Sequence, residues 1–292
     1  MRALLLAVAV LLVAAPAASA ESETTSSGTV AAVMSWTPDP GGLGASGVRV
    51  VVTRAGVLAY DAPVDPRSGC KDATCVPRDD GLAVRDLDAD GEPEVIADVY
   101  TGGAHCCDIS RILRWDGARY VAIDHVFGDR SHRVEDLDGD GRSEFVTSDD
   151  RFAYLYGSYA SSVFPVQILA LRAGALADVT ASYPAVVRSD RAAIFREARK
   201  AGYARPAWAA WAADRYRLGE RAAALRALRR LASQGRLRTD IGSNSLRAQR
   251  RWVARVDRDL QRFGYTGRPR SATRSTSIAT SSSTTSSSRS TT

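Results

Sequence analysis

Two nine-residue stretches, fifty residues apart, share one pattern: Asp86-Leu87-Asp88-Ala89-Asp90-Gly91-Glu92-Pro93-Glu94 and Asp136-Leu137-Asp138-Gly139-Asp140-Gly141-Arg142-Ser143-Glu144. Each stretch places acidic residues at its positions 1, 3, 5 and 9, and a glycine at position 6. Each is followed at once by a run typical of a strand, Val95-Ile96-Ala97 in the first case and Phe145-Val146-Thr147 in the second. The sequence therefore predicts one β unit that is repeated about every fifty residues.

Short strand-like segments surround both stretches in the same order: strand, acidic loop, strand, longer loop, strand, turn, strand. A partial unit without an acidic loop precedes them, from Thr29 to Ala62. Four strands at this period are typical of a propeller blade. The predicted fold class is β plus α, with propeller-like or incomplete-propeller antiparallel β repeats, two full and one partial, followed by a small helical domain. An open stack, a sandwich-like packing and closure by the C-terminal domain are the alternatives for the repeats.

The charge distribution divides the chain into two halves. Residues 21–187 carry about 26 Asp and Glu against about 14 Arg and Lys, a net charge of about −12. Residues 188–270 carry about 22 basic against about 7 acidic residues, a net charge of about +15. Such an asymmetry indicates two units with different surfaces.

The basic half shows the helical spacing of apolar residues. Ser189 is a candidate cap of a first helix, and Pro206 fits the first turn of a second. A third helix is expected from Glu220 to Ser233, and Ser245 is a candidate cap of a fourth. The sequence therefore predicts a helical domain over residues 188–266.

The N-terminus is typical of a signal peptide over residues 1–20. Arg2 precedes an apolar run, Leu4 to Ala15, that is too short to span a bilayer comfortably, and Ala18-Ser19-Ala20 is a small-residue cleavage site. Residues 21–28 are then a linker and residues 29–187 the β-repeat domain. Residues 267–292 are rich in Ser and Thr, which cannot bury a core, so a disordered tail is expected. The mature chain is expected to be secreted or extracellular, with association to the cell envelope as an option.

The acidic stretches predict two calcium sites. Alternate carboxylates on a tightly turning backbone converge on one point, and Ca²⁺ takes about six to eight oxygen ligands. The predicted ligands are the side chains of Asp86, Asp88, Asp90, Glu94, Asp136, Asp138, Asp140 and Glu144, together with the backbone carbonyls of Glu92 and Arg142. An EF-hand does not fit, because it needs a bidentate Glu at position 12, where Ala97 and Thr147 stand. Asp-rich turns that bind no metal are the alternative.

Segments Val84–Val95 and Val134–Phe145 resemble FG-GAP/VCBS-type repeats, the calcium-loop repeats of integrin α-chain propellers and of many bacterial secreted proteins. The resemblance covers Leu82 to Thr180. It implies that the loop lies between the first two strands of a blade and binds Ca²⁺ through Asp86, Asp88, Asp90 and Glu94. The stretch Tyr100–Cys107 is similar to one in a bacterial secreted subgroup with a basic helical C-terminus. Ring closure is not implied, because the units are fewer than the about four or more blades of a closed propeller.

Four cysteines come in two close pairs, Cys70/Cys75 and Cys106/Cys107. An even number in an exported chain predicts disulfides. A Cys70–Cys75 bridge would leave the neighbours Cys106 and Cys107 to pair with each other, which strains the peptide between them, so crossed bridges are weakly favoured. A zinc site formed by these cysteines with His105 is the alternative.

Arginines on the predicted helices form a candidate anion-binding surface, since guanidinium groups pair with phosphate and carboxylate. The candidate residues are Arg229, Arg230, Arg250, Arg251 and Arg255. An anionic cell-envelope polymer or lipid is the expected partner, and nucleic acid is not expected. Docking on the acidic β half of the same molecule is the alternative.

Catalytic machinery is not indicated by the sequence. The three histidines, His105, His125 and His132, stand without a nucleophile elbow or a zinc-protease motif. The sequence therefore favours a non-catalytic binding or adhesion module with two bound Ca²⁺ ions and a protein or glycan ligand on its β domain. An envelope-polymer hydrolase that uses the repeats as a scaffold is the alternative.

Overall fold

A computed structural model describes residues 19–41, 44–64, 75–102, 105, 107–202 and 204–265. Most of the predicted signal peptide, the Ser/Thr-rich tail, Cys70 and Cys106 lie outside the described residues. Among the described residues, no helix combines the length and the apolar character needed to cross a bilayer.

Twelve strands form three four-stranded antiparallel sheets in the described part of the chain, and in each sheet the strands are neighbours in chain order. The first sheet contains β1 (Glu21–Ser27), β2 (Val30–Pro38), β3 (Ala45–Arg54) and β4 (Val57–Pro63). The second contains β5 (Val76–Arg85), β6 (Glu94–Tyr100), β7 (Asp108–Trp115) and β8 (Tyr120–Gly128). The third contains β9 (Arg133–Glu135), β10 (Glu144–Ser148), β11 (Val166–Arg172) and β12 (Ala175–Asp178). The predicted β plus α class is therefore confirmed, and each acidic stretch joins the first and second strands of its sheet.

The first unit is complete, which corrects the prediction that it is partial. Residues 21–27, assigned to a linker from the sequence, form β1 and pair with β2 in unbroken register from Glu21↔Trp36 to Ser27↔Val30. The strand Glu21–Ser27 is an edge strand of Ser, Thr and Glu with partly exposed side chains throughout. Backbone hydrogen bonds hold such a strand in place, so its side chains carry little of the apolar alternation by which strands are recognised.

The three sheets stack face to face because alternate residues of a strand point to opposite faces. In β6, Val95 and Ala97 pack in a core shared with the first sheet, whereas Ile96 packs in a core shared with the third. In β7, Leu113 packs in the core shared with the first sheet, and Ile112 packs in the core shared with the third. Burial of a large aliphatic side chain contributes about 1.5–3 kcal/mol, so two such cores fix the order of the layers.

Four helices follow: α1 (Pro184–Lys200), α2 (Arg205–Arg217), α3 (Arg221–Ser233) and α4 (Leu246–Arg262). The predicted cap of α4 is confirmed, because the Ser245 hydroxyl accepts the Ala248 N–H at 3.2 Å. Helix α1 begins five residues before the predicted cap Ser189, because Pro184 fits its first turn, where an N–H has no partner in the helix. Nearly every side chain of α2 is buried, so α2 is the centre of the helical domain.

The helices cover the outer face of the third sheet. Val146 and Ile168 of that sheet share a core with Val187 of α1. The segment between β10 and β11 sends Phe152 and Tyr156 into the main helical core. The β and helical halves are thus joined by continuous apolar packing.

Candidate metal centre

The first residue of each acidic stretch closes its loop onto itself. The Asp86 carboxylate accepts the Asp90 N–H at 3.2 Å and the Gly91 N–H at 2.9 Å. The Asp136 carboxylate accepts the Gly139 N–H at 2.8 Å and the Gly141 N–H at 2.9 Å. Gly91 and Gly141 have φ of +87° and +85°, which glycine adopts without the strain of a side chain. The same local chemistry therefore produces the same turn in both loops.

The last residue of each stretch is a buried glutamate at the start of a strand. Glu94 and Glu144 are both 0% exposed. The Glu94 Oε2 atom accepts the Leu87 N–H at 2.9 Å, whereas its Oε1 atom is buried without a hydrogen-bond partner. Such a carboxylate oxygen is costly to bury unless a cation or a donor approaches it.

Glu144 occupies the equivalent position but has basic and polar neighbours. Its Oε2 atom accepts the Leu137 N–H at 3.2 Å. Its Oε1 atom, like that of Glu94, is buried without a hydrogen-bond partner, but the Arg172 guanidinium lies 3.6 Å from it and the Tyr183 hydroxyl lies beside the same carboxylate. Glu144 is therefore better compensated than Glu94.

Two clusters of three carboxylates result. One oxygen each of Asp86, Asp88 and Glu94 lies within 4.8 Å of the other two, and Asp136, Asp138 and Glu144 form a matching set. Six of the eight predicted side-chain ligands are thus brought together by the fold.

The electrostatics of the first cluster reflect its crowding. Burial, followed by the nearby charges of Asp88, Asp90 and Asp86, raises the pKa of Glu94 to about 7. Burial and the Asp90 charge also raise the pKa of Asp88. A divalent cation would reverse both effects, because it favours the ionised form of each carboxylate.

The remaining predicted ligand residues lie beside the clusters. Asp90 accepts the Glu92 N–H at 2.9 Å, and Asp140 accepts the Arg142 N–H at 2.8 Å. These carboxylates are outside the two sets of three. The Glu92 side chain pairs with Arg54 of the first sheet at 2.5 Å.

Arg114 is part of the first centre, although the sequence did not indicate it. Its guanidinium lies 3.1 Å from Asp90 and 3.7 Å from Asp88. The pairing of Val95 with Leu113 between β6 and β7 brings Arg114 opposite Glu94. Arg114 therefore offsets part of the negative charge, and a bound cation would compete with it.

Two of the four cysteines that were predicted to form disulfides lie in the described residues. Cys75 and Cys107 are both disulfide-bonded, and no described cysteine is free. Cys75 is buried in the core between the first and second sheets, and Cys107 packs against that core. Because Cys70 and Cys106 lie outside the described residues, the crossed pairing stays a prediction.

The five predicted anion-binding arginines fall in different surroundings. Arg229 and Arg250 line a cleft between α3 and α4, and Arg230 lines a separate pocket on the other side of α3. Arg255 pairs with Asp259 at 3.3 Å, and Arg251 is exposed without lining either cavity. They do not form one compact site.

A polar cleft lies at the other end of the second sheet from the acidic loop. Its lining includes Asp80, Asp98, Asp108 and His132, in a volume of about 360 Å³. His132 Nε2 is 3.3 Å from Asp98, and the ring stacks on Phe127 with centroids 4.3 Å apart. Burial and the charge of His132 lower the pKa of the neighbouring His125 to about 4.

In the described residues, these features define a chain of antiparallel β sheets and helices with two acidic clusters that could hold cations. Part of it is 41% identical over 103 residues to a probable thylakoid lumen protein, sll0997, of Synechocystis sp. (strain ATCC 27184 / PCC 6803 / Kazusa), covering 34% of this chain and 30% of that protein. It is also 35% identical over 89 residues to the uncharacterized protein y4bJ of Sinorhizobium fredii (strain NBRC 101917 / NGR234), covering 30% of this chain and 14% of that one. The matches thus span less than a third of either relative. No family model and no solved structure matches the chain.

Proposed function

We propose that this chain is an exported calcium-binding repeat protein whose β half is a non-catalytic binding or adhesion module at the cell envelope. The observation that carries the calcium proposal is Glu94: a fully buried carboxylate with one oxygen unpartnered, within 4.8 Å of Asp86 and Asp88 oxygens. Hard oxygen ligands of this kind suit Ca²⁺. The second cluster repeats the arrangement, so the proposal is two ions.

The repeats are proposed to be propeller-like, arranged as an open stack. Supporting this, three four-stranded antiparallel sheets pack face to face, as propeller blades do. Both acidic loops join the first two strands of a sheet, which is the place that the FG-GAP/VCBS resemblance implies. The helical domain, which covers the third sheet, takes the position that a further blade would fill.

Two independent observations support the proposed location outside the cytoplasm. The N-terminal pattern is that of a signal peptide, and one partial relative is named as a probable thylakoid lumen protein. A compartment outside the cytoplasm also suits weak calcium sites, because extracellular modules bind Ca²⁺ with Kd values of about 10⁻⁴–10⁻³ M. The ligand of the β half is proposed to be a protein or glycan, and an anionic envelope polymer or lipid is proposed for the basic half.

A hydrolase of envelope polymers is the second candidate. The polar cleft with Asp98 and His132 is the feature that would carry it, because paired carboxylates and a histidine can transfer protons. The His132 ring packs against Phe127 and Phe145, with centroids 4.3 Å and 5.2 Å away, and its side chain is 9% exposed, which favours a structural role.

The test of the calcium proposal is titration calorimetry with CaCl₂ on the exported chain, together with melting in calcium and in EDTA. At about 1 mM Ca²⁺ and a Kd of about 10⁻⁴ M, each site stabilises the fold by about 1.4 kcal/mol. Asp86→Asn with Asp136→Asn should remove both the heat of binding and the EDTA sensitivity. Asp61→Asn, in the first sheet and away from both loops, is the matched control and should keep both. A wild-type chain that shows no calcium heat and melts identically in EDTA would refute the proposal.

A further inference from the structure

We propose that the helical domain binds one amphiphilic anion, a phosphate or carboxylate group joined to a single apolar tail or ring, in the pocket between α1, α2 and α3. The pocket has a volume of about 410 Å³, a size typical of sites for small molecules. This pocket lies in the other half of the chain from the acidic loops, so the inference does not depend on the calcium proposal. It rests on the anionic partner proposed above for the basic half and narrows that partner to an amphiphilic anion.

The floor of this pocket is aromatic. Trp208 and Trp211 of α2 meet edge to face with centroids 5.2 Å apart, and Phe195 of α1 packs on Trp208 at 5.7 Å. Both tryptophans are 5% exposed, whereas Phe195 is 38% exposed. Ala227 and Leu231 of α3 complete the apolar wall. A tail or ring placed here would cover Phe195, which the protein itself leaves partly open to water.

The rim of the pocket is basic. Among the residues that the structure describes, four arginines line it, Arg199, Arg215, Arg230 and Arg236, and no acidic residue does. Arg215 is paired with Glu220 at 2.7 Å. Within the described ranges, the other three arginines form no ion pair, and the Arg199 guanidinium stands 5.8 Å from the Phe195 ring centroid. Guanidinium groups bind phosphate and carboxylate through paired N–H donors, so the rim selects an anionic head group.

The combination of floor and rim selects the class of ligand. A plain polyanion would use the arginines but not the aromatic rings, and a neutral hydrocarbon would use the rings but not the arginines. The cleft on the other side of α3 lacks the combination. Asp257 lines that cleft and is bound by Arg221 at 2.8 Å, and no aromatic ring lines it.

The first experiment compares three probes on the full exported chain: decyl phosphate below its micelle concentration, decanol and inorganic phosphate. Calorimetry measures binding, and quenching or blue shift of tryptophan emission reports occupancy of the pocket beside Trp208 and Trp211. Decyl phosphate is expected to bind saturably at one site. Decanol and inorganic phosphate are each expected to bind at least about tenfold more weakly, since each lacks one of the two interactions. Decanol or phosphate binding as tightly as decyl phosphate would overturn the proposal.

The second experiment uses arginine variants. Arg199→Gln with Arg230→Gln should weaken decyl phosphate binding by about tenfold or more, because two charge-assisted contacts are lost. Arg188→Gln is the matched control, since Arg188 is exposed on α1, eleven residues before Arg199, and lines neither cavity. It should bind within about twofold of wild type, because a distant exposed charge is screened by salt. An equal loss in Arg188→Gln, or no loss in the double variant, would overturn the proposed site.

Discussion

The backbone N–H of Ser143 donates a hydrogen bond to the carbonyl of Leu87 at 3.1 Å, so the two acidic loops are joined directly. Leu87 in turn donates its own N–H to Glu94 at 2.9 Å. One short chain of hydrogen bonds thus runs from the residue before Glu144 to the buried carboxylate of the first loop.

This connection predicts coupling between the two proposed ions. Asp136→Asn, which loosens the second loop, is expected to lower the calcium affinity of the first loop by about fivefold. Two-site calorimetry of the wild type, compared with the single remaining site of the variant, measures the effect. An unchanged affinity at the remaining site would show that the loops bind independently.

Glu94→Gln should distinguish two effects of the buried carboxylate: its destabilisation of the calcium-free fold and its contribution to calcium binding. Without calcium, the amide oxygen can still accept the Leu87 N–H, and the charge beside three aspartates is gone. The free energy of unfolding in EDTA should therefore rise by about 1 kcal/mol, whereas stabilisation by calcium at the first loop should be lost. Glu92→Gln, a half-exposed neighbour paired with Arg54, is the control and should change neither by as much.

The same residue predicts a pH dependence in EDTA. The pKa of Glu94 is about 7 in the fold, above the ordinary glutamate value of 4.5, so the folded chain binds more protons than the unfolded chain between these values. Stability should therefore fall as the pH rises through this range, and calcium or Glu94→Gln should flatten the slope. Melting in EDTA at pH 5 and pH 8 measures it, and a wild type that is equally sensitive with and without calcium would contradict the assignment.

Another buried carboxylate lies far from the loops, in α2. Asp214 is 0% exposed, neither of its oxygens has a hydrogen-bond donor, and Asp190 of α1 lies beside it. Burial, and then the charge of Asp190, raises the pKa of Asp214 well above its usual value. Stability is therefore lost as the pH rises above the unfolded value, and Asp214→Asn should stabilise the chain by about 1–3 kcal/mol, more at pH 8 than at pH 5.

Chemical denaturation at the two pH values tests this prediction. Asp240→Asn is a suitable control, because Asp240 is exposed and its pKa is lowered by its hydrogen bond with Ser158. A smaller benefit of Asp214→Asn at pH 8 than at pH 5 would show that the buried carboxyl is not the titrating group.

The disulfide pairing can be read from a tryptic digest of unreduced protein. Trypsin separates Cys70 from Cys75 at Lys71 but leaves Cys106 and Cys107 in one peptide that ends at Arg111. Crossed bridges predict one species of three linked peptides. A pair made of the Cys70 and Cys75 peptides alone would instead establish the local pairing.

The strands next to the acidic loops were the most predictable part of the fold. The runs Val95-Ile96-Ala97 and Phe145-Val146-Thr147 lie within strands Glu94–Tyr100 and Glu144–Ser148, as predicted, because a glycine turn precedes an apolar run in each case. Strand Glu21–Ser27 could not be recognised in this way, because its stability comes from main-chain pairing with β2.

In the candidate site too, features that depend on neighbouring residues in the sequence could be predicted, whereas features that depend on strand pairing could not. The turn around Asp86 and Gly91 follows from residues within the loop, so it could be predicted. Arg114 could not, because its place beside Asp88 and Asp90 depends on the register between β6 and β7. Asp90 was placed among the ligands by spacing alone, but its carboxylate caps Glu92 and pairs with Arg114.

The three stacked sheets are covered at one end only. The third sheet is covered by α1, so its outer face is already committed to Val187 and its neighbours. The first sheet uses Val30 and Ala32 inward, and Ala31, Val33 and Val51 of its other face are only half-buried. A lineage that lengthened this protein by duplicating a four-stranded unit could therefore add it at the first sheet without disturbing an existing core. An addition after Asp178 would have to displace the helical domain, so a further sheet could be added more easily at the first sheet than at the third.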